Sequence, residues 1–148
     1  MQEEDVFIIL ADDDEDDRLF FEEAFDELKI NTKVATFNDG VELMDYLNKE
    51  NSLLPNILFL DLNMPKKSGK QCLQEIKKEA RFKDIAIAIY STSASEEDIE
   101  NTFVMGANVY IKKPNDFKQL KKVLSNVVTI NWQYHTSGLN KDNFLLRL

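Results

Sequence analysis

Five short apolar runs alternate with five segments of helical periodicity, and this alternation limits the possible folds more than any other feature of the chain. The runs occupy residues 6–10, 33–37, 57–60, 85–90 and 109–112, and the helical segments residues 17–28, 38–48, 69–80, 96–106 and 116–130. Continuous apolar runs of this length are typical of strands buried on both faces. The pattern therefore predicts an α/β fold in which a doubly wound parallel sheet is covered by helices.

Polar side chains follow four of the five predicted strands. They are Asp12, Asp13 and Asp14 after the first strand, Asp61 and Asn63 after the third, Ser91 and Thr92 after the fourth, and Lys112 and Lys113 after the fifth. Ligands of doubly wound sheets bind at the carboxyl ends of the strands. We therefore expect carboxylates, a hydroxyl and an ammonium group to converge on one rim of the sheet.

This set of groups favours phosphoryl chemistry. Crowded carboxylates repel one another, and a divalent cation with oxygen ligands relieves the repulsion. Mg²⁺ prefers carboxylates, a carbonyl and water, and its sites are often completed by a phosphate. A carboxylate at the centre of such a group can attack phosphorus and form an aspartyl-phosphate. Phosphoryl transfer depends mostly on positioning and charge neutralisation, which a cation, one lysine and a hydroxyl would supply.

Length, charge and cysteine content exclude several other classes of protein. The chain has 148 residues, which predicts a single domain. Its net charge of −9 disfavours a nucleic-acid partner. One cysteine excludes an internal disulfide and a cysteine-rich zinc site. The apolar run near the N-terminus is too short for a signal peptide, and no run reaches the length of a membrane span. We therefore expect a cytoplasmic protein.

Four segments together resemble the receiver domain of two-component response regulators of the chemotaxis-regulator (CheY-like) type. They are IILADDD, FLDLNMP, YSTSA and GANVYIKKP, and the resemblance covers residues 5–130. It implies a flavodoxin-like (βα)5 fold with strand order 2-1-3-4-5. It also implies a receiver domain over residues 1–130. The C-terminal extension, residues 131–148, is too short to fold alone. In its length and its acidic N-terminal residues, the chain is similar to small receivers that pair with phytochrome-type kinases.

The resemblance assigns the acidic residues to phosphoryl acceptance. Asp61 matches the phosphoacceptor. Asp13 matches the carboxylate that binds Mg²⁺ or Mn²⁺ directly, and Asp12 the acid that acts through a water molecule. Asn63 matches the position whose backbone carbonyl joins the metal site. The role of Asp14, a third acid beside the pair, stays open between metal binding and solvation.

The resemblance also assigns the remaining rim residues and a partner. Lys113 matches the lysine that contacts the phosphoryl group, and Ser91, by counting back from Lys113, matches the switch hydroxyl rather than Thr92. Tyr110 matches the switch aromatic, which would rotate inward when the phosphoryl group pulls on Ser91. The donor would be a phosphohistidine of a sensor histidine kinase or phosphotransfer protein. The chain would catalyse only its own phosphorylation and dephosphorylation, and its output would be an altered protein contact.

A partner surface is a further expectation. Ile99 and Phe103 lie four residues apart in the fourth helix. If Thr102 and Met105 face inward, Ile99 and Phe103 form an outward stripe beside Tyr110, which would serve a partner protein or a homodimer. The alternative is that both residues pack in the core.

Two rival functions belong to other classes. Asp12 and Asp14 form a D-x-D pair like that of small phosphatases of the haloacid-dehalogenase type. However, Asp16 stands where that motif has Thr or Val. The other rival is a degenerate receiver that acts only as an interaction module, and the complete acidic set argues against it.

Overall fold

The computed structural model describes residues 5–134 and 145–146, in which strands and helices alternate from end to end. The strands are β1 Val6–Ala11, β2 Thr32–Phe37, β3 Ile57–Leu60, β4 Ala86–Ser91, β5 Val109–Lys112 and β6 Leu145–Leu146. The helices are α1 Glu15–Glu27, α2 Gly40–Asn48, α3 Gly69–Lys78, α4 Glu96–Val104 and α5 Phe117–Tyr134, with a 3-10 helix at Ala80–Phe82. None of the described helices has the length and apolar character that crossing a membrane requires.

All strands pair in parallel, in the order β2-β1-β3-β4-β5-β6. The predicted doubly wound sheet and the 2-1-3-4-5 order of its first five strands are confirmed. The sixth strand was not predicted. It places Leu145 opposite Tyr110 and Leu146 opposite Ile111 at the outer edge of β5.

The C-terminal helix is longer than predicted. Helix α5 continues to Tyr134, four residues beyond its predicted end at residue 130. The dipeptide Leu145–Leu146 then joins the sheet as β6. Of the apolar residues expected to dock, Trp132 lies in α5 and Leu146 in β6, whereas Phe144 is outside the described residues.

The two faces of the sheet each bury a separate apolar layer. Ile8, Leu10 and Phe59 point to the side covered by α1 and α5, where Phe21 and Leu124 meet them. The residues between them in the strands point to the side covered by α2, α3 and α4. This alternation follows from the two-residue period of a strand. Full burial of one such apolar side chain stabilises the folded state by about 1.5–3 kcal/mol, so packing against helices on both faces stabilises the sheet.

Each of the five described α-helices begins at a side chain that caps its first turn. The hydroxyl or carboxylate accepts a hydrogen bond from a backbone N–H three residues ahead, at Asp14, Asp39, Ser68, Ser95 and Asp116. Ser68 and Gln71 form a reciprocal capping box. A cap of this kind stabilises a helix by about 0.5–2 kcal/mol. Because Asp14 caps α1, that helix begins at Glu15, two residues before the predicted start.

The predicted outward stripe on α4 is wrong. Ile99 is only 5% exposed and Tyr110 is fully buried, and both belong to the core beside α3. Phe103 is half-buried and packs against the same core. Thr102 is also buried, and its hydroxyl is satisfied by donating to the carbonyl of Asp98 one turn earlier. Helix α4 therefore uses Ile99 and Phe103 for packing against the sheet.

Candidate functional site

The carboxyl ends of β1, β3, β4 and β5 meet at one rim and carry the predicted site residues. Backbone hydrogen bonds extend the strand pairing beyond the strands themselves. The N–H of Asp61 donates to Ala11 at 3.0 Å, and the N–H of Lys113 donates to Ser91 at 2.8 Å. These bonds determine the direction in which Asp61 and Lys113 leave the sheet, and both side chains point into the rim.

The acidic group consists of Asp12, Asp13 and Asp61. One carboxylate oxygen of each lies within 4.8 Å of the others. Asp12 and Asp61 are buried, whereas Asp13 is exposed. The three acids that sequence analysis assigned to the metal and the phosphoryl group are thus brought together.

Burial makes the carboxyl groups of Asp12 and Asp61 hard to ionise. Loss of solvent, followed by the nearby charge of Asp12, raises the pKa of Asp61 to about 7. Burial also raises the pKa of Asp12, although Lys113 and the N–H of Asp14 oppose the shift. A positive charge added to this group would favour the ionised forms.

Lys113 supplies one positive charge at the rim. Its Nζ atom lies 2.8 Å from Asp12 Oδ2, 2.8 Å from Asp17 Oδ2 and 3.6 Å from Asp61 Oδ2. Burial alone would lower the pKa of Lys113, but hydrogen bonds to Asp12 and Asp17 outweigh it and raise the pKa. Lys113 therefore stays an ammonium ion. Its neighbour Lys112 is exposed, as its position one residue back along the strand predicts.

Sequence analysis missed the contact of Asp17 with Lys113. Acids in the first turn of a helix favour its dipole whether or not they contact a site, so their presence at the start of α1 did not single out Asp17. The cap at Asp14 places the first turn of α1 above the rim, and Asp17 lies in that turn. The sequence did contain a signal for this contact. If Asp14 caps α1, Asp17 lies three residues later, in the first turn of a helix that begins at the rim.

Ser91 is buried at the rim, whereas Thr92 is exposed. The Oγ atom of Ser91 accepts a hydrogen bond from the N–H of Ser93 at 3.1 Å. The hydroxyl of Tyr110 donates to the carbonyl of Ser93 at 2.8 Å. Tyr110 thus already points inward, and Ser93 connects it to Ser91, a link that sequence analysis did not identify.

A polar connection continues from Ser93 to α3. The Ser93 hydroxyl donates to Asp98 Oδ2 at 2.8 Å, and Lys70 Nζ lies 2.8 Å from Asp98 Oδ1. The hydrogen bond from Lys70, and then that from Ser93, lowers the pKa of Asp98. The loop after β4 is therefore attached to both α3 and α4.

The loop after β3 folds tightly against Asp61. The N–H of Asn63 lies 3.4 Å from Asp61 Oδ1, and the N–H of Gly69 donates to Leu62 at 3.0 Å. A Cβ atom at Gly69 would lie 2.1 Å from the carbonyl oxygen of Asp61. Only glycine permits this approach, so Gly69 helps to position the backbone that carries Asp61.

The acidic group fits a hard divalent cation. Asp12 Oδ2 is buried, and the ammonium of Lys113 lies 2.8 Å from it. An oxygen of this kind, beside two further carboxylates, is a ligand that hard cations prefer. Asp14 is not part of the group, because its carboxylate caps α1. The D-x-D pair of the phosphatase alternative is therefore not assembled.

Comparison with known proteins agrees with this geometry. A family model described as the response regulator receiver domain matches residues 8–125. The chain is 32% identical over 124 residues to the response regulator Rcp1 of Synechocystis sp., covering 81% of this chain and 84% of that protein.

Solved structures give the same result. The phosphorylated cyanobacterial phytochrome response regulator RcpA is 32% identical with a TM-score of 0.80, covering 90% of this chain and 98% of that one. The Mn²⁺-bound form of Rcp1 is 29% identical with a TM-score of 0.75, over the same shares of 90% and 98%. The family match spans most of the chain, and the rim carries the acids, hydroxyl and lysine that its motifs predict. This chain belongs to the response regulator receiver domain family.

Proposed function

We propose that this chain is the phosphoacceptor of a two-component phosphorelay and that Asp61 takes the phosphoryl group. The observation that carries the proposal is the position of the Asp61 carboxylate, between the acids Asp12 and Asp13 and the ammonium of Lys113. The donor is a phosphohistidine of a histidine kinase or phosphotransfer protein. Because RcpA is a phytochrome response regulator, we propose a phytochrome-type kinase as the donor class.

The transfer is a displacement at phosphorus. A carboxylate oxygen of Asp61 forms a bond to phosphorus while the bond from phosphorus to the histidine nitrogen breaks, and the imidazole leaves with that electron pair. Asp61 must be ionised to attack. Asp13 directly, Asp12 through water, Asp61 and the carbonyl of Asn63 would hold a divalent cation, Mg²⁺ or Mn²⁺. Its positive charge would favour the ionised carboxylates and neutralise the phosphoryl oxygens.

Lys113 and Ser91 bind the transferred group. The ammonium of Lys113 lies 3.6 Å from Asp61 Oδ2, so a small movement brings it onto a phosphoryl oxygen. The Oγ atom of Ser91 accepts from Ser93, which is compatible with donation of its own hydrogen to a second oxygen. Both contacts favour the phosphorylated state over the free one.

The output follows from the attachment of the loop after β4. A shift of Ser91 toward the phosphoryl group moves Ser93, and Ser93 carries the contacts to Tyr110 and Asp98. The face formed by α4, β5 and α5 changes with them. We propose that this population shift alters binding of a downstream protein or a second copy of the chain. Buried Tyr110 acts here as a connection to the loop, in place of the inward rotation expected from sequence.

We further propose that residues 1–130 are the receiver unit and residues 131–148 an extension of it, with no turnover of a separate substrate. The phosphatase alternative predicts steady hydrolysis of a chromogenic phosphate ester. The proposed receiver predicts no more than one phosphoryl group on each chain at a time, followed by its hydrolysis.

Incubation with acetyl phosphate and Mg²⁺, followed by intact-mass measurement, tests the acceptor. We expect the wild type to gain one phosphoryl group and Asp61→Asn to gain none, because an amide cannot attack phosphorus. Asp45→Asn is the matched control, since Asp45 is an exposed residue of α2. Labelling of Asp61→Asn, or no labelling of the wild type, contradicts the assignment.

A further inference from the structure

The ammonium of Lys113 is held on the α1 side of the rim. Its hydrogen bond to Asp17 Oδ2 is 2.8 Å long and joins residues 96 positions apart. The distance to Asp61 Oδ2 is 3.6 Å, which is too long for a hydrogen bond. Before phosphorylation, the lysine expected to bind the phosphoryl group is thus bound to two other carboxylates.

The two carboxylates differ in the cost of releasing the ammonium. The Asp12 side chain is completely buried, so loss of its counter-ion would leave an uncompensated charge without solvent. The Asp17 side chain is 31% exposed, so water can solvate its carboxylate when the ammonium leaves. Asp17 is therefore the partner that can be exchanged.

We propose that Asp17 is a positioning residue that competes with the phosphoryl group on Asp61 for the ammonium of Lys113. The inference rests on the proposed function of Asp61 and adds a regulator of it. Competition weakens the hold on the phosphoryl group, because part of the binding free energy is used to separate Lys113 from Asp17. It also links α1 to phosphorylation, since the carboxylate that loses its partner lies in the first turn of that helix.

Asp17→Asn tests the competition, and Asp16→Asn is its matched control. Both substitutions remove one negative charge from the same turn, and Asp16 is exposed. The measurement is the affinity for beryllofluoride, a stable phosphoryl mimic, at constant Mg²⁺. An amide accepts from an ammonium more weakly than a carboxylate does. We therefore expect Asp17→Asn to bind the mimic about fivefold more tightly, on the scale of one partly exposed charged hydrogen bond, and Asp16→Asn to stay within about twofold of the wild type.

Equal affinities of the two variants, or weaker binding by Asp17→Asn, would overturn the proposal. If the wild type binds the mimic normally in that case, only the role of Asp17 fails. If the wild type does not bind it at all, the proposed function fails as well.

A second measurement uses the wild-type chain and does not depend on the folding of a variant. Carbon-13 resonances of the aspartate carboxylates are recorded before and after addition of beryllofluoride. We expect a shift at Asp17, which loses its ammonium partner, and little change at Asp16. An unchanged Asp17 resonance beside a bound mimic would overturn the competition.

Discussion

The carboxylates of Asp12 and Asp61 are buried at the ends of their strands, and this burial lowers the stability of the fold. Their burial raises both pKa values, and the single ammonium of Lys113 compensates only part of the charge. A neutral side chain at position 61 would avoid this cost. The site thus retains an acid that the fold alone would not favour, which is common where residues are positioned for chemistry.

The raised pKa of Asp61 predicts how stability depends on pH when no divalent cation is present. In the unfolded chain this carboxyl loses its proton near pH 4, whereas in the folded chain its pKa is about 7. Between these values the folded state holds a proton that the unfolded state has released, so stability falls as the pH rises. The raised pKa of Asp12 acts in the same direction.

We therefore expect the wild type to be less stable at pH 8 than at pH 5.5, with Asp61 contributing on the order of 2 kcal/mol. Asp61→Asn should be more stable than the wild type at pH 8 and gain less at pH 5.5. Urea unfolding in the presence of a chelator measures both differences. The control Asp45→Asn should show no such dependence, and a gain for Asp61→Asn that is the same at both pH values would contradict the prediction.

At the scale of elements, α1 and α4 begin at the rim, whereas the C-terminal end of α2 is held by contacts away from it. Asp14 and Ser95 begin α1 and α4 beside the site, so the same loops cap the helices and carry the functional groups. The far end of α2 is held by the guanidinium of Arg81, which donates to the carbonyls of Leu47 and Lys49 at 2.6 and 3.1 Å. The last carbonyls of a helix have no partner within it, so this contact replaces a C-terminal cap.

Replacement of Arg81 should destabilise the domain without affecting the rim. Arg81→Ala removes the donors to the end of α2, and we expect a loss of about 1–2 kcal/mol because the site is partly open to solvent. Arg81→Lys keeps the charge but not the forked donors, so it should recover only part of the loss. Chemical unfolding gives these values. Lys83→Ala, an exposed neighbour, is the control, and equal stability of all variants would exclude the capping role.

At the scale of the whole molecule, the parallel sheet brings four distant strand ends to one place and leaves two outer edges. On the β5 side, β6 pairs with Tyr110 and Ile111 and becomes the edge itself. An uncovered edge strand exposes backbone donors and acceptors that pair readily with other chains. The segment Leu145–Leu146 thus extends the sheet beyond the five strands of the predicted receiver.

Proline at position 145 tests the pairing of β6. Leu145→Pro removes a backbone N–H, whereas the control Leu145→Ala retains it. We expect hydrogen exchange of the β5 amides facing β6 to be about tenfold faster in the proline variant than in the alanine variant. Identical exchange in both variants would mean that the pairing does not protect β5.

Much of the fold and of the site could be predicted from sequence because the signals are local. A continuous apolar run followed by Asp61 identifies a buried strand and its end, and parallel strands bring such ends together. The stripe on α4 was predicted wrongly for a physical reason. Helical periodicity shows that Ile99 and Phe103 share a face, but it cannot tell whether that face meets the sheet or solvent.

The sequence by itself determined the alternation of strands and helices, because apolar runs and helical periodicity follow the chain locally. Its resemblance to receiver domains implied the family and the roles of Asp12, Asp61 and Lys113. Only the tertiary structure decided that Asp17 holds Lys113, that Ser93 joins Ser91 to Tyr110, and that β6 extends the sheet. These contacts join residues of different elements. Their formation depends on how helices and loops pack over the rim, which no periodicity in the chain encodes.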